Sequence, residues 1–371
     1  MIFKQIGLLA TRFRILIIAL WVAAAAIVTL QAPSIEDVAS SDQSDFLPSD
    51  APFKHAEAVY RETFPNRFSP GSTLIVIDAR DSAEGILQTD ESLPFSEQLD
   101  TEAGRFIADL SGWLSYGAAL NSVNTLDAWL AADSAPYTLD AMQSWYLEED
   151  QSENTEALAE WMSLDGRVAL AVMVQGWLAS DADPDDATAL AAWANSADPA
   201  TNVAALEAWL NSDQRASNVH ALQTWLEGQG APDNVLRVIS PSDSAASAQL
   251  MIAGEDADDP ALANQVAIAH VDLSTTSPEE RTMEALRTID EWMDEHRPAT
   301  LTTYQTGEAP VVSNTTDSIK TSVDRTIWVT VVLVIIMLLA VYRSPVSPLI
   351  PLAAVTVAYL ITRGIVAYLG D

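Results

Sequence analysis

The sequence predicts an α-helical membrane protein that carries an external α+β domain, and three observations support this fold class. The chain of 371 residues has a net charge of −34, yet no Asp or Glu occurs in residues 1–33 or 326–370. Its acidic middle contains four short apolar segments typical of strands, with amphipathic helical segments between them. Within that middle, tryptophan recurs every sixteen residues, at Trp113, Trp129, Trp145, Trp161, Trp177, Trp193, Trp209 and Trp225.

The amino-terminal region predicts a membrane anchor. Residues 1–14 are basic and are expected to form a cytoplasmic amino terminus. Residues 15–32 carry no charge and are about long enough to span a bilayer. Because Pro33 directly after this stretch is a poor context for signal-peptide cleavage, we expect an uncleaved first transmembrane helix.

Two further apolar segments close the chain. Residues 326–342 and 347–369 are predicted to be the second and third transmembrane helices, joined by a short connection that contains Arg343. Arg363 inside the third helix should face other helices or a membrane edge. The basic residues Lys4, Arg12, Arg14 and Arg343 all fall on one side of the membrane, which is then cytoplasmic. We therefore expect a multi-pass protein of the inner or plasma membrane with its large domain on the extracytoplasmic side.

The charge of that large domain restricts its partners. Residues 34–325 hold 51 acidic and 13 basic residues, and 13 minus 51 gives a net charge of −38. Such a segment repels nucleic acid and anionic lipid headgroups. We expect no nucleic-acid partner.

The strands and helices of the domain follow a recognisable order. Strands are predicted at residues 72–78, 234–241, 265–273 and 301–307, and helices at residues 96–113 and 277–296, the latter with Pro278 in its first turn. The order β-α-β-β-α-β is the split β-α-β, ferredoxin-like arrangement. The tryptophan repeats interrupt it after the first helix, so residues 33–114 and 232–325 are predicted to form one subdomain around an insert at residues 115–231.

Each sixteen-residue repeat is predicted to be a short helix followed by a turn. Sixteen residues at 100° per residue rotate successive tryptophans by about 160°, so one continuous helix would give them no common face. Ser, Asp, Asn and Pro at the unit boundaries supply caps and breaks. We expect the helices to stack as a solenoid with tryptophan in its core. A sugar-binding or lipid-binding platform is an alternative, and the apolar content disfavours a disordered region.

One stretch of the insert departs from the helical pattern. Residues 165–174 are apolar and rich in β-branched side chains, and this composition is compatible with a strand.

No residue pattern predicts catalysis or ligand binding. The chain lacks cysteine, so disulfides and thiolate metal sites are excluded. An aspartate run resembles the start of a calcium loop but lacks its glycine and closing glutamate, so we expect a solvated loop. The four histidines show no ligand spacing: His55, His220, His270 and His296. No nucleophile motif, phosphate loop or dinucleotide fingerprint is present. We predict no catalytic, cofactor-binding or metal-binding residues, and no enzyme.

Several motifs resemble those of the MMPL family of RND-superfamily exporters. The exit of the first membrane helix, with Pro33 and residues 41–48, is similar to the family's approach to its first porter subdomain. Residues 238–241 resemble the family's second porter strand, and residues 306–309, with Asp317 following, its Thr-Gly turn. The most specific match is residues 341–349, similar to the family's junction between membrane helices two and three. The resemblance covers residues 1–114 and 232–371, and the tryptophan repeats have no counterpart in it.

The resemblance implies a function. Members of the family use the proton gradient to export lipids or hydrophobic compounds, through twelve membrane helices in two halves, with proton-relay residues in helices four and ten. We therefore expect the amino-terminal part of such an exporter, which needs the bilayer, a hydrophobic or lipid-like substrate and a carboxy-terminal half as partners. The oligomeric state, with a homo-oligomer as one option, and the substrate stay open. The alternative is a membrane-anchored extracellular scaffold or adhesion protein that uses the tryptophan repeats.

Overall fold

The computed structural model describes residues 71–90, 92–132, 136–146, 163–180, 186–254, 259–275, 279–342, 355–359 and 361–362. The chain divides into two compact units. The larger unit is Phe46–Thr315, and the smaller unit combines Met1–Asp45 with Thr316–Asp371.

The larger unit contains one four-stranded antiparallel sheet. Its strands are β1 (Gly71–Asp78), β2 (Val235–Ile239), β3 (Val266–Leu273) and β4 (Thr302–Thr306), in the order β2-β3-β1-β4. All four lie within a residue or two of the predicted strands. Every second side chain of β1 is buried. This period of two is the alternation that predicts a strand from the sequence.

Helices fill the connections between the strands. In chain order they are α1 (Phe95–Gln98), α2 (Glu102–Ala131), α3 (Leu139–Tyr146), α4 (Leu164–Leu178), α5 (Thr188–Ala194), α6 (Val203–Leu210), α7 (Arg215–Glu227), α8 (Ala245–Met251), α9 (Glu280–His296) and α10 (Glu308–Tyr342). A short 3₁₀ helix, Pro260–Leu262, precedes β3. The described part of the larger unit is therefore α+β, as predicted.

One face of the sheet packs against α2 and α9. Ile75, Ile77 and Val271 from this face form a buried cluster with side chains of both helices, among them Leu110 and Ile289. Removing these apolar groups from water drives the association of the sheet with its helical layer.

The first helix after β1 differs from its prediction. The expected single helix at residues 96–113 is divided into α1 and α2, and α2 continues to Ala131. The Thr101 hydroxyl accepts a hydrogen bond from the Gly104 amide at 2.9 Å and starts α2 there. Between Trp113 and Ala131 the sequence offers no proline to stop it.

Helix α2 therefore crosses the predicted boundary at residue 114. It carries both Trp113 and Trp129, so the expectation that no continuous helix joins two repeats is wrong here. Trp113 also packs in the sheet's cluster rather than with the other tryptophans. The first repeat is thus built on the helix that covers the sheet.

The later repeats vary in helix length. Short helices of eight, seven and eight residues, α3, α5 and α6, carry Trp145, Trp193 and Trp209 as predicted. Helices α4 and α7 are longer, at 15 and 13 residues. The suggestion of a strand at residues 165–174 is wrong, because these residues lie in α4, whose start is capped by the Ser163 hydroxyl.

Tryptophan side chains form the core of this helical region, as the sequence predicts. Trp129, Trp145, Trp177, Trp193 and Trp209 belong to one buried cluster, and Trp225 packs against it with partial exposure. Trp161 lies outside the described residues. Burial of five rings argues against their use as an exposed binding platform.

A second polar group recurs with the tryptophans. Three residues after the ring, the hydroxyls of Ser180, Ser196 and Ser212 donate hydrogen bonds of 2.6–2.8 Å to the carbonyls of Trp177, Trp193 and Trp209. Each of these carbonyls also accepts a hydrogen bond from the backbone amide of the same serine, so the serine closes the last turn of the helix. The sixteen-residue unit thus encodes both its core anchor and its carboxy-terminal cap.

The helices do not form an open solenoid. In a solenoid each repeat contacts only its neighbours. Here the Tyr137 amide donates to Asn211 Oδ1 at 3.2 Å, and Arg215 lies 4.1 Å from the centroid of the Tyr137 ring. Because Tyr137 precedes Trp145 and Asn211 follows Trp209, distant units touch and the described helices close into one bundle.

A close contact joins the bundle to the sheet. The chain leaves α7 and returns along residues 229–235 to β2, and α2 lies against this return segment. The Trp113 indole donates to the Gln229 carbonyl at 3.1 Å, and the Asn121 amide donates to the Val235 carbonyl at 3.1 Å. Between them is Gly117, where an added Cβ would stand 2.2 Å from the Pro232 carbonyl oxygen.

Helix α10 contains a segment suited to a membrane. Thr321–Val341 is long and apolar enough to span a bilayer, and none of it is buried within the protein. This segment overlaps the second predicted transmembrane helix. The first predicted transmembrane helix and most of the third lie outside the described residues.

The buried tryptophans generate a prediction about stability. Replacing fully buried Trp193 or Trp209 by Ala should each lower the free energy of unfolding by about 3–5 kcal/mol, because a large cavity replaces the ring. Urea unfolding of the full chain in detergent, followed by circular dichroism, measures this. The partly exposed Trp225 supplies the matched control, and an equal loss for Trp225→Ala would contradict the burial difference.

The contact at Gly117 generates a second prediction. Gly117→Ala should destabilise the protein by about 1–3 kcal/mol, because its methyl group would collide with backbone. Gly112→Ala, five residues earlier on α2 with nothing within 4 Å of its Cβ, should stabilise by about 0.5–1 kcal/mol. Opposite shifts in melting temperature are expected, and shifts of the same sign would show that the close approach is not tight.

Candidate functional site

The sheet has a second face that lies away from α2 and α9. We call it the outer face. Side chains alternate along a strand, and residues directly opposite each other on neighbouring strands share a face. The cross-strand register therefore assigns the following residues to the outer face: Ser72, Leu74, Val76, Asp78, Arg237, Ile239, Val266, Ile268, His270, Asp272, Thr302, Tyr304 and Thr306.

The middle of the outer face is mainly apolar. Val76 stands opposite Ile268 on β3 and Tyr304 on β4, and Leu74 stands opposite His270. Most of these side chains are half-buried, and Tyr304 is 57% exposed. None of them belongs to either buried cluster of the described residues. The face can therefore offer apolar contact to a ligand or to another domain.

Charged side chains mark one end of the outer face. Arg237 on β2 donates two hydrogen bonds to Asp272 Oδ2, from Nε at 3.1 Å and from Nη2 at 2.5 Å. His270 Nδ1 lies 3.6 Å from Asp272 Oδ1. Asp272 is only 3% exposed. Because a buried carboxylate is costly unless it is paired, Arg237 is required to hold Asp272 in the sheet.

A second ion pair marks the other end. The Arg80 guanidinium binds Asp78 through Nε at 2.9 Å and Nη2 at 2.5 Å, just beyond the end of β1. The hydrogen bond from Arg80 lowers the pKa of the Asp78 carboxyl below its usual value, against a smaller opposing effect of burial. Ion pairs thus border the apolar middle of the outer face.

This arrangement contains a group that the sequence pattern did not single out. We predicted no ligand spacing among the histidines, and the described residues hold no cluster of three or more metal-ligating side chains. His270 and Asp272 are nonetheless brought together with Arg237. Two residues apart on a predicted strand is the spacing that puts side chains on one face, so this signal was present in the sequence.

The other candidate residues are scattered. His220 and His296 are exposed on α7 and α9, and His55 lies outside the described residues. Of the aspartate run that resembles a calcium loop, Asp186 is exposed and has a positive φ of 52°, while Asp181, Asp183 and Asp185 lie outside the described residues.

Comparison with known proteins finds one family match, which lies in the carboxy-terminal part of the chain. Residues 212–371 match the family model described as the MMPL family. This match confirms the resemblance seen in the sequence over those residues. The MMPL match begins inside the predicted insert, before Trp225, and includes β2, β3, β4 and the candidate membrane helix. No curated protein and no solved structure matches the chain significantly.

The MMPL match has direct consequences. MMPL proteins are membrane-integral, RND-type transporters of lipid-like compounds, and they are not enzymes. A surface that offers apolar side chains is compatible with that class. The outer face is therefore the candidate functional site.

The Asp78–Arg80 pair generates a prediction about pH. The pKa of Asp78 is lower in the folded protein than in the unfolded chain, so ionised Asp78 contributes stability above the unfolded value of about 3.9. This contribution is lost as the pH falls through the lower folded value. Asp78→Asn should therefore reduce the melting temperature near neutral pH, and the difference from wild type should shrink in acid.

The melting temperature of the full chain, measured across this pH range, tests the effect. Asp109→Asn, which removes an exposed carboxyl on α2, is the control for the loss of one negative charge. A constant gap between Asp78→Asn and wild type at all pH values would contradict the assignment of the shift to Arg80.

Proposed function

We propose that this chain is part of an RND-type transporter that exports lipid-like or hydrophobic compounds at the expense of the proton gradient. The observation that carries the proposal is the MMPL match over residues 212–371. That one match includes three of the four strands and the candidate membrane span of α10. The match treats the sheet and the membrane-suited helix as parts of one family domain. This favours a transporter over a soluble domain that merely carries an anchor.

The strand order supports a ferredoxin-like porter subdomain. In the sheet, β3 lies between β1 and β2, and β1 lies between β3 and β4. Each of the two long connections, β1 to β2 and β3 to β4, therefore passes over one intervening antiparallel strand. This is the arrangement of a split β-α-β fold. In the proposal, the helical bundle is an insertion into the first of these connections.

The proposed topology follows the distribution of basic residues. The first and third predicted membrane helices, residues 15–32 and 347–369, join α10 in the bilayer, and the sheet and the tryptophan bundle lie outside the cytoplasm. An acidic domain in that position stays soluble through its own charge. It does not need, and would repel, a nucleic-acid partner.

The outer face is the proposed contact for substrate. Lipid-like molecules lose water-exposed apolar area when they bind beside Leu74, Val76 and Ile268, and this loss is favourable. The guanidinium groups of Arg80 and Arg237 give the two ends of the face a charged border. A carboxy-terminal half, with the remaining membrane helices and the proton relay, is the proposed partner that supplies energy.

The alternative function, a membrane-anchored scaffold or adhesion protein, gains no support from the comparisons. Burial of five of the tryptophan rings also leaves those rings little exposed area for contact with a partner.

Substitutions on the outer face test the proposed function. Val76→Gln and Ile268→Gln should each remove about 1–2 kcal/mol of apolar contact with substrate and slow export about 5- to 30-fold. Efflux of a fluorescent lipid from cells that express the complete gene product measures the rate, with protein levels determined in parallel. Collapse of the proton gradient should stop efflux by the wild type.

Leu250→Gln is the matched control. Leu250 is 85% exposed on α8 and is not on the outer face, so the same chemical change there should leave efflux unchanged. Normal efflux by both outer-face variants at normal protein levels would reject the proposed substrate contact. Efflux that persists without a proton gradient would reject proton-driven transport.

A further inference from the structure

The sheet ends in an edge that no described segment covers. Strand β4 is the last strand in the order and pairs with β1 through five consecutive residue pairs, Leu74–Thr306 to Asp78–Thr302. Its other side carries the backbone N–H and C=O groups that face away from β1. No described residue pairs with that side of the strand. A row of unpaired backbone groups is a ready template for another strand.

The two edge strands of the sheet, β2 and β4, differ in how well they are protected against pairing with another strand. Natural edge strands avoid association through charged side chains, proline or bulges. The β2 edge has two of these devices, since its register with β3 shifts between Val235 and Arg237, and Arg237 is charged. Strand β4, with the sequence Thr-Thr-Tyr-Gln-Thr, has no charge and no proline, and its register with β1 is regular.

We propose that β4 is an interface between two copies of this chain, which pair antiparallel through β4 about a two-fold axis at Tyr304. Tyr304 is the middle residue of the five, so this register uses the whole strand. It places Thr302 opposite the partner's Thr306 and Thr303 opposite the partner's Gln305. Threonine and tyrosine are favoured in strands, and their cross-strand pairs are stabilising.

Charge favours the β4 edge over other surfaces as a contact between copies. The chain carries a net charge of −34, so most faces of two copies repel each other. The five residues of β4 are uncharged. A second copy is the partner that offers the same uncharged strand with matching length, as an isologous interface requires.

Helix α9 runs beside this edge. Asp290 on α9 accepts a hydrogen bond from Gln305 of β4, which places this side of the helix next to the strand. Arg287 on α9 lies 3.8 Å from Glu284 and 3.9 Å from Glu291 of the same helix, so its charge is paired within its own chain. The association of two copies therefore relies on the backbone groups and uncharged side chains of β4 itself.

Paired in this way, the two sheets form one eight-stranded sheet with a continuous outer face. This pairing is independent of transport. Its test therefore needs no transport assay.

Site-directed cysteines test the register, because the natural chain contains no cysteine. Opposed residues in antiparallel strands have Cα atoms about 4.5–5.5 Å apart, within the disulfide range of about 4.4–6.8 Å. Tyr304→Cys should therefore give a covalent dimer of the full chain when membranes are oxidised. Leu250→Cys, at an 85% exposed position away from the edge, should remain a monomer on a denaturing gel.

Two further cysteine variants distinguish this register from random collision. Thr302→Cys alone should not cross-link, because the two copies of residue 302 are four residues apart along the paired strands, about 13 Å. A mixture of Thr302→Cys with differently tagged Thr306→Cys should form mixed dimers. Equal cross-linking by Tyr304→Cys and Leu250→Cys, or self-cross-linking by Thr302→Cys, would overturn the proposal.

A non-covalent measurement completes the test. Tyr304→Lys brings two positive charges together at the axis and should weaken dimerisation at least about tenfold, while Tyr304→Phe should retain it. The mass distribution of the detergent-solubilised chain against concentration reports the dissociation constant. An unchanged constant for Tyr304→Lys, with the melting temperature retained, would also reject the β4 interface.

Discussion

The close approach of α2 to the chain returning from the tryptophan bundle is the contact on which the larger unit depends. Helix α2 contributes side chains to both buried clusters, those before Gly117 to the sheet and those after it to the bundle. At Gly117 there is no room for a side chain against the Pro232 carbonyl. Hydrogen bonds from Trp113 and Asn121 fasten the return segment on either side. One helix thereby supports two cores, and more than a hundred residues leave and rejoin the sheet at adjacent points.

The two faces of the sheet therefore differ in their contacts. Helices α2 and α9 bury one face, while the outer face has an apolar middle between two ion pairs. Asp272 illustrates the cost of such a surface, since a carboxylate held at 3% exposure needs a guanidinium beside it. Under the proposed function, the apolar middle contacts the lipid-like substrate, and the ion pairs keep the sheet folded beside it.

Sequence patterns predicted the elements that depend on residues close together in the chain. Alternating burial revealed β1, and the period of sixteen revealed the tryptophan anchors, because each rests on residues close in sequence. The continuation of α2 past Trp113 and the helical state of residues 165–174 depend on packing against distant segments, and propensity alone misjudged both. Closure of the bundle was hidden for the same reason, since Tyr137 meets Asn211 across 74 positions. The shared face of His270 and Asp272 could be read from the strand alone, but Arg237 becomes their neighbour only through the pairing of β2 with β3.

The adjacency of the bundle's two ends has an evolutionary meaning. The bundle is closed by contacts between distant units, so its helices depend on one another and are expected to be gained or lost together. Because the chain departs and returns beside Gly117, the whole bundle can be inserted or removed while the strands of the sheet keep their spacing. Relatives of this protein can therefore differ greatly in length and still share one sheet. In such an alignment, the gap should fall as a single block between α2 and β2.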